Sequence, residues 1–365
     1  MKQLKVIISG GGTGGHIFPA IAIANEIKRQ KPDAQILFVG AVEKMEMEKV
    51  PQAGYKIKGL NIAGFQRGSL LRNIGLPFKV IGSLLSAVTI IRNFKPDVAV
   101  GVGGYASGPL LFAASLLGVP TVIQEQNSFA GVTNKLLAKR AQKICVAYEG
   151  MEKVFPNEKI VLTGNPVRAN IIESNVSREE ALKYFGLSSE KKTILIIGGS
   201  LGARTLNQSV DATIERIEES NVQLLWQTGK AYFQDCKAVG EQHHNIKVLE
   251  FIDRMDAAYK VADVIVSRAG ALSIAELQII GKPVILVPSP NVTEDHQTHN
   301  AVALVNKEAA ILIKDNEAKF NLIPAAIDLL DDAVTCQLLS ANIKKMSIAN
   351  AAERIVAQIF GVIQS

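Results

Sequence analysis

Gly10-Gly11-Gly12-Thr13-Gly14-Gly15-His16 follows directly on the apolar run Leu4–Ser9, and a helical pattern continues from about Ile17 to Gln30. Glycines allow a tight turn and let a ligand approach the backbone, and the first amides of a helix lack internal partners. The combination suits an anionic group, usually a phosphate. A tight strand-to-helix turn is the plainer alternative, but five glycines in six positions exceed what a turn needs. Gly10-x-Gly12-x-x-Gly15 fits the dinucleotide fingerprint, a weak match by itself. That fingerprint also wants an acidic residue closing the second strand to hold a ribose. Here the second strand, Gln35–Val39, runs into Gly40-Ala41-Val42, and Glu43 comes late. A Walker A loop would need Lys and Ser or Thr where His16 and Ile17 stand. Neither NAD nor P-loop chemistry is supported. His16, against the glycine loop and with an ordinary pKa of about 6.5, suits a general base near neutral pH.

The second half repeats the pattern. Strand Thr193–Ile197 leads into Gly198-Gly199-Ser200-Leu201-Gly202 and a helical run from Ala203 to Glu218. The loop amides and the Ser200 hydroxyl suit a pyrophosphate at a helix start. Arg168, in the punctuated segment Gly164-Asn165-Pro166-Val167-Arg168, offers a positive fork for phosphate oxygens. Ser273-x-x-Glu276 has two readings that the pattern leaves open. It is a capping box, or it sets a carboxylate where both hydroxyls of a ribose could bind. Gln124-Glu125-Gln126-Asn127 closes an apolar strand at its C-terminal end, where open α/β sheets place ligands; loop capping is the alternative. Glu294, His296 and His299 lack HExxH spacing and a second ligand cluster, so no metal site is expected. His243-His244 reads as exposed loop.

These residues need a frame to hold them. A chain of 365 residues, 48% hydrophobic and 20% charged, suits two soluble globular domains. Cys145, Cys236 and Cys336 form no CxxC pair, and the N-terminus carries no signal-peptide pattern, so a cytoplasmic protein is expected. Val98–Gln124 has no charged residue for 27 positions, but Gly101–Pro109 lies inside it. Loop backbone is not tolerated in lipid, so a buried strand, glycine loop, helix and second strand are expected there instead. Ser69–Phe94 carries apolar residues at roughly helical spacing among basic ones, which suits a core-facing helix or a stretch resting on anionic lipid. Strand and helix patterns alternate in both halves. They predict two doubly wound α/β domains, at 1–165 and 166–340, facing each other across a cleft. A terminal helix, 341–365, is expected to pack back towards the first domain. Residues 1–165 carry 20 Lys and Arg against 10 Asp and Glu, and the remainder 20 against 24. A basic first half suits an anionic partner or a solvated surface equally.

Taken together, GGGTGGHIFPAIAIA, GGYASGP, QEQNSFAGVTNKLLAKRA, GNPVR, GGSLGARTLN and SRAGALSIAEL resemble, in order and separation, the MurG glycosyltransferases of peptidoglycan synthesis. The similarity runs from Lys5 to the C-terminal helix. It implies the GT-B fold and an inverting hexosyltransferase without an essential metal or cofactor. The substrates it implies are UDP-N-acetylglucosamine and undecaprenyl-pyrophosphoryl-N-acetylmuramyl-pentapeptide (lipid I), and the product is lipid II. The expected place is the cytoplasmic face of the inner membrane, as a peripheral protein on its anionic surface. Other cell-wall synthesis proteins are expected as partners, and nucleic acid is not. By motif position, donor contacts fall on Thr13, Gly14, Gly15, Asn127, Arg168, Ser200, Ile252 and Gln297. Ala271, Leu272, Ser273 and Glu276 match the nucleotide segment, with Glu276 on the ribose and the Ile252 backbone on uracil. His16, Tyr105 and Glu125 map to the acceptor side. The family commonly has His where this chain has Gln124, which shifts the base role to His16 with Glu125 next. Leu70, Leu71, Ile74 and Phe78 form the expected docking edge. Another UDP-sugar enzyme of this fold, or a nucleotide-binding membrane module without turnover, are the alternatives.

Overall fold

The computed structural model describes residues 3–62, 76–199 and 201–364. The chain divides into two compact units, Met1–Val167 with Ile348–Ser365, and Arg168–Ser347.

The first unit holds seven parallel strands: β1 (Lys5–Gly10), β2 (Gln35–Ala41), β3 (Lys56–Leu60), β4 (Val98–Gly103), β5 (Thr121–Glu125), β6 (Lys143–Val146) and β7 (Ile160–Leu162). Their order is β3-β2-β1-β4-β5-β6-β7. Both faces are covered, which is why β4 is apolar at every position and β1 over Val6–Ile8. Val6 and Ile8 enter one core with the helix α1 (Gly14–Gln30) and the terminal helix Ala351–Gln364, while Ile7 enters the opposite core. That second core is closed by α3 (Leu76–Phe94) and α4 (Ser107–Leu116), the latter lying inside the uncharged stretch between β4 and β5. The residues Leu70, Leu71 and Ile74 lie outside the described residues, and Phe78 falls within α3.

Two elements of this unit escape the sequence pattern. The short helix α2 (Glu46–Gln52) contains Pro51, and β3 alternates exposed Lys with half-buried positions as an edge strand does.

In the second unit, β8 (Lys192–Ile197), β9 (Val222–Gln227), β10 (Ile246–Leu249), β11 (Val264–Ser267), β12 (Val284–Leu286) and β13 (Ile311–Leu312) form a parallel sheet ordered β10-β9-β8-β11-β12-β13. Ile194 and Ile196 pack with Leu206, Val210 and the helix Ala318–Asp331. The expected single helix from Ala203 is two, Arg204–Asp211 and Ile214–Glu219. Thr213 Oγ1 donates to the Ser209 carbonyl at 2.7 Å, a back-bond that bends helices. The C-terminal stretch, where one terminal helix over 341–365 was expected, holds two helices, Ala333–Lys345 and Ala351–Gln364. Their apolar stripes serve different cores: Leu339 that of the second unit, Ile355 and Ile359 that of the first. Ser177 and Glu180 form a capping box at the start of the helix Arg178–Phe185.

Both sheets reverse direction between their first and fourth strands, β1 and β4 in one unit, β8 and β11 in the other. Ligands of open α/β sheets bind outside the C-terminal ends of the strands at such a reversal.

Candidate active site

At the reversal in the first unit, Thr13 is the N-cap of α1, with extended backbone and no side-chain cap bond. Thr13 and Gly15 are exposed, as is Tyr105 just beyond β4. His16 lies in the first turn of α1, and its Nδ1 is 3.0 Å from the Gly11 carbonyl oxygen. A carbonyl only accepts, so Nδ1 carries the proton and the lone pair of the neutral ring is on Nε2. The ring rests against Gly103, where φ is +103° and a Cβ would fall 2.6 Å from the imidazole. Only glycine admits the ring in that place.

The loop amide of Gly12 is already bonded to protein. It donates at 2.8 Å to Oε2 of Glu46, a buried carboxylate that sequence reasoning passed over. Glu46 follows the second strand by five residues, late for a ribose-binding position, and no local spacing links it to the loop.

The four polar residues ending β5 are explained largely by a buried hydrogen-bond network. Gln124 Nε2 donates to Asn165 Oδ1 at 2.9 Å, Gln126 donates to the Val102 carbonyl at 2.7 Å, and Gln126 Nε2 also reaches Gln124 Oε1. Glu125 is 2% exposed. Its Oε1 accepts from the Asn127 amide (3.1 Å) and Asn127 Nδ2 (3.4 Å), and its Oε2 from the Gly131 amide (3.0 Å) and Asn134 Nδ2 (2.8 Å). An ionised carboxylate has about four acceptor positions. Four donors fill them, so both oxygens are held by protein.

The second unit has a cavity of about 720 Å³ at its reversal, within the range of small-molecule sites. Gly198–Thr205 form one wall, apart from Ser200, which lies outside the described residues. Gly270 and Ser273, at the start of the helix Ala271–Ile280, form another, and Gln297 lines it too. Two helices therefore begin at the cavity, and their amide ends favour an anion. Gln297 Oε1 accepts from the Ser289 amide at 2.9 Å, which fixes its orientation.

Arg268 is a wall residue that the sequence reading did not select. Its guanidinium donates to Asp315 Oδ1 (2.5 Å) and to the Val287 and Pro288 carbonyls (3.1 and 3.2 Å). Asp315 also accepts from Thr205 Oγ1 at 2.9 Å, tying the cation to the helix after the glycine loop. The available signal was a basic residue directly after β11, the strand beside the loop.

Gly202 is held by close approach. Its φ is +82°, and a Cβ would fall 2.2 Å from the Thr228 carbonyl oxygen. Gly202→Ala is expected to destabilise the protein by about 1–3 kcal/mol through overpacking. Thermal unfolding should shift down by several degrees.

Glu276 and Arg168 form one unit. Arg168 Nε and NH2 donate to the two Glu276 oxygens at 2.8 and 3.0 Å, and Tyr259 OH donates to Oε2 at 2.9 Å. Partial burial pulls the Arg168 pKa down, but the bonds and charge of Glu276 outweigh it and leave it above the ordinary value. Burial first, then the Glu276 charge, raise the Tyr259 phenol well above its usual range. The capping-box reading of Ser273 and Glu276 fails: Gly270 is the N-cap, which puts Ser273 inside the first turn. Arg168, Glu276, Ile252, Ala271 and Leu272 are not cavity-wall residues. The Ile252 side chain is buried, which anchors its main chain beside the exposed Phe251.

A second cavity in this unit, about 630 Å³, is lined by residues including Ser174, Tyr184, Arg254 and Asp256. There Arg254 grips Asp256 and holds that carboxyl down at about 2.

Residues 6–146 match the glycosyltransferase family 28 N-terminal domain and residues 193–358 its C-terminal domain. A Parabacteroides distasonis protein named UDP-N-acetylglucosamine--N-acetylmuramyl-(pentapeptide) pyrophosphoryl-undecaprenol N-acetylglucosamine transferase is 56% identical, over 100% of this chain and 99% of its own. The chain belongs to the MurG glycosyltransferase family. A MurG relative of the same name from Flavobacterium psychrophilum is 54% identical, over 100% of this chain and 99% of its own. The crystal structure of Acinetobacter baumannii MurG superposes with a TM-score of 0.81 at 29% identity, covering 99% of this chain and 100% of that one. The calicheamicin glycosyltransferase CalG4, at 12% identity and a TM-score of 0.71, covers 100% of this chain and 99% of its own and shows the shared fold alone. That fold is GT-B, as the resemblance implied.

Proposed function

We propose that this chain moves N-acetylglucosamine from UDP-N-acetylglucosamine to the C4 hydroxyl of lipid I, giving lipid II with inversion at the sugar. The observation that carries the reading is the full-length 56% identity to a relative named for that transfer. The cavity at β8 and β11 supports it, with two helix starts and the fixed cation Arg268 suited to a nucleotide diphosphate. In the reaction the acceptor oxygen attacks C1 of the sugar, and the bond from C1 to the UDP oxygen breaks. UDP leaves with the electron pair, and the acceptor proton passes to His16 Nε2. Glu125, with its acceptor positions filled, serves instead to hold the loop that carries Asn127. Charge developing on UDP is offset by the Gly198–Gly202 amides, the Ser200 hydroxyl and Arg168, preorganised dipoles of the kind that stabilise transition states best. Gln297, Ser273 and the Ile252 backbone orient the nucleotide, and Glu276 meets its ribose. Labelled UDP-N-acetylglucosamine incubated with lipid I should give labelled lipid II. Binding of UDP with no transfer would sink the reading in favour of a non-catalytic module.

The same reading puts the first unit against the anionic cytoplasmic membrane surface. No helix among the described residues is long and apolar enough to cross a membrane. Val80, Ile81 and Leu85 are exposed on α3, 42%, 57% and 64% respectively, next to the exposed Lys79. Apolar insertion and attraction to anionic lipid then act together. Replacing Ile81 and Leu85 together by Asp should weaken flotation with anionic vesicles by about tenfold or more, given ~1.5–3 kcal/mol for each fully buried side chain. Unchanged flotation would exclude this face.

A further inference from the structure

Glu46 has no part in the contacts assigned to substrate, yet it is a carboxylate only 1% exposed, set against the first glycine loop. Its Oε2 accepts from the Gly12 amide at 2.8 Å and its Oε1 from the Ala41 amide at 2.9 Å; neither partner is a cation. The surrounding sequence makes room for it. A Cβ on Gly11 would fall 2.2 Å from the carboxylate, and one on Gly40 would fall 2.4 Å from Glu46 Cγ.

The Gly12 N–H and the Gly11 C=O belong to the same peptide group. That peptide is trans, so the two point in opposite directions from one rigid plane. On the carbonyl side the plane accepts from His16 Nδ1 at 3.0 Å. One amide therefore joins a buried anion to the imidazole.

We infer that Glu46 is a positioning residue that acts on His16 through the Gly11–Gly12 peptide. Its first effect is geometric: the plane that orients the ring is pinned at its far side and tied to the end of β2. Its second effect is electronic. An anion bonded to the N–H polarises the amide and strengthens its carbonyl as an acceptor. A stronger acceptor at Nδ1 favours the Nδ1–H tautomer, which keeps the lone pair on Nε2. Carboxylates bonded directly to histidine do the same for many metal ligands; here the influence passes through one amide. Glu46 also occupies the Gly12 amide, so that amide is not open to a nucleotide phosphate. The catalytic consequence rests on His16 as the base, whereas the tautomer does not.

Nitrogen NMR of the full chain with labelled histidine reads the tautomer directly, with the His16 signals assigned by their loss in His16→Ala. The protein itself should carry the proton on Nδ1. Glu46→Gln keeps the shape and removes the charge. It should admit the Nε2–H form and lower the transferase kcat by about 10- to 100-fold, the usual size of such outer-shell effects. KM for UDP-N-acetylglucosamine should stay within about twofold, and Glu46→Asp should recover part of kcat. A proton on Nε2 in the unaltered protein would overturn the inference without any variant having to fold. So would a Glu46→Gln protein with the parent tautomer and the parent kcat. A changed tautomer in Glu46→Gln beside a fully active His16→Ala protein would support the relay and remove the base assignment.

Discussion

His16→Ala is expected to lower lipid II formation by about 10²- to 10⁴-fold, the contribution of a positioned general base. Affinity for UDP-N-acetylglucosamine should stay at the parent value. The ring is half-buried, packs on a glycine and bonds the Gly11 carbonyl. Thermal unfolding of the variant, measured alongside, separates a loss of stability from the expected fall in rate. Steady-state kinetics with varied donor separate the outcomes, because loss of a group used only in the transition state lowers kcat and kcat/KM together. Transfer at the parent rate would remove His16 from the mechanism.

Glu276→Ala is expected to do the greatest damage in the second unit, in two measurable ways. Tyr259 is 2% exposed and donates its hydroxyl to Glu276. Without an acceptor that buried hydroxyl costs about 1–3 kcal/mol of stability. Arg168 is half exposed, and water would take over its solvation, so its release adds little. The second effect is on the donor. Hydrogen bonds from ribose to a charged carboxylate are worth about 1.5–3 kcal/mol, so UDP affinity should fall by about 10- to 150-fold. Thermal unfolding measures the first effect and calorimetry the second. A lowered unfolding temperature with unchanged UDP affinity would make Glu276 a strut for Arg168 and Tyr259 and nothing more.

The architecture was legible because parallel strands covered on both faces are apolar throughout, and each glycine loop marks a strand passing into a helix. β3 was not, because an edge strand with exposed lysines lacks that signature. Within the site, His16 adjoins its loop in sequence, and Ser273 lies where a glycine loop passes into a cavity-lining helix; Gln297, which also lines the cavity, had no local signal and came from the resemblance alone. Contacts made across long stretches of chain left no local trace. Glu46 reaches back 34 residues to Gly12, Arg268 meets Asp315 47 residues on, and Arg168 meets Glu276 across 108. The cluster ending β5 was visible, but its meaning was not. Periodicity cannot distinguish polar residues that bond one another under the surface from polar residues facing a ligand.

The central claim is a division of labour between two similar loops: the second takes the nucleotide, and the first, with Gly12 held by Glu46, presents His16. A crystal structure of the protein soaked with UDP tests it most directly. The account predicts the diphosphate against the Gly198–Gly202 amides and the start of the Ala271–Ile280 helix, with no phosphate on the Gly12 amide. UDP seated on the first loop, with the Glu46 carboxylate displaced from Gly12, would contradict it.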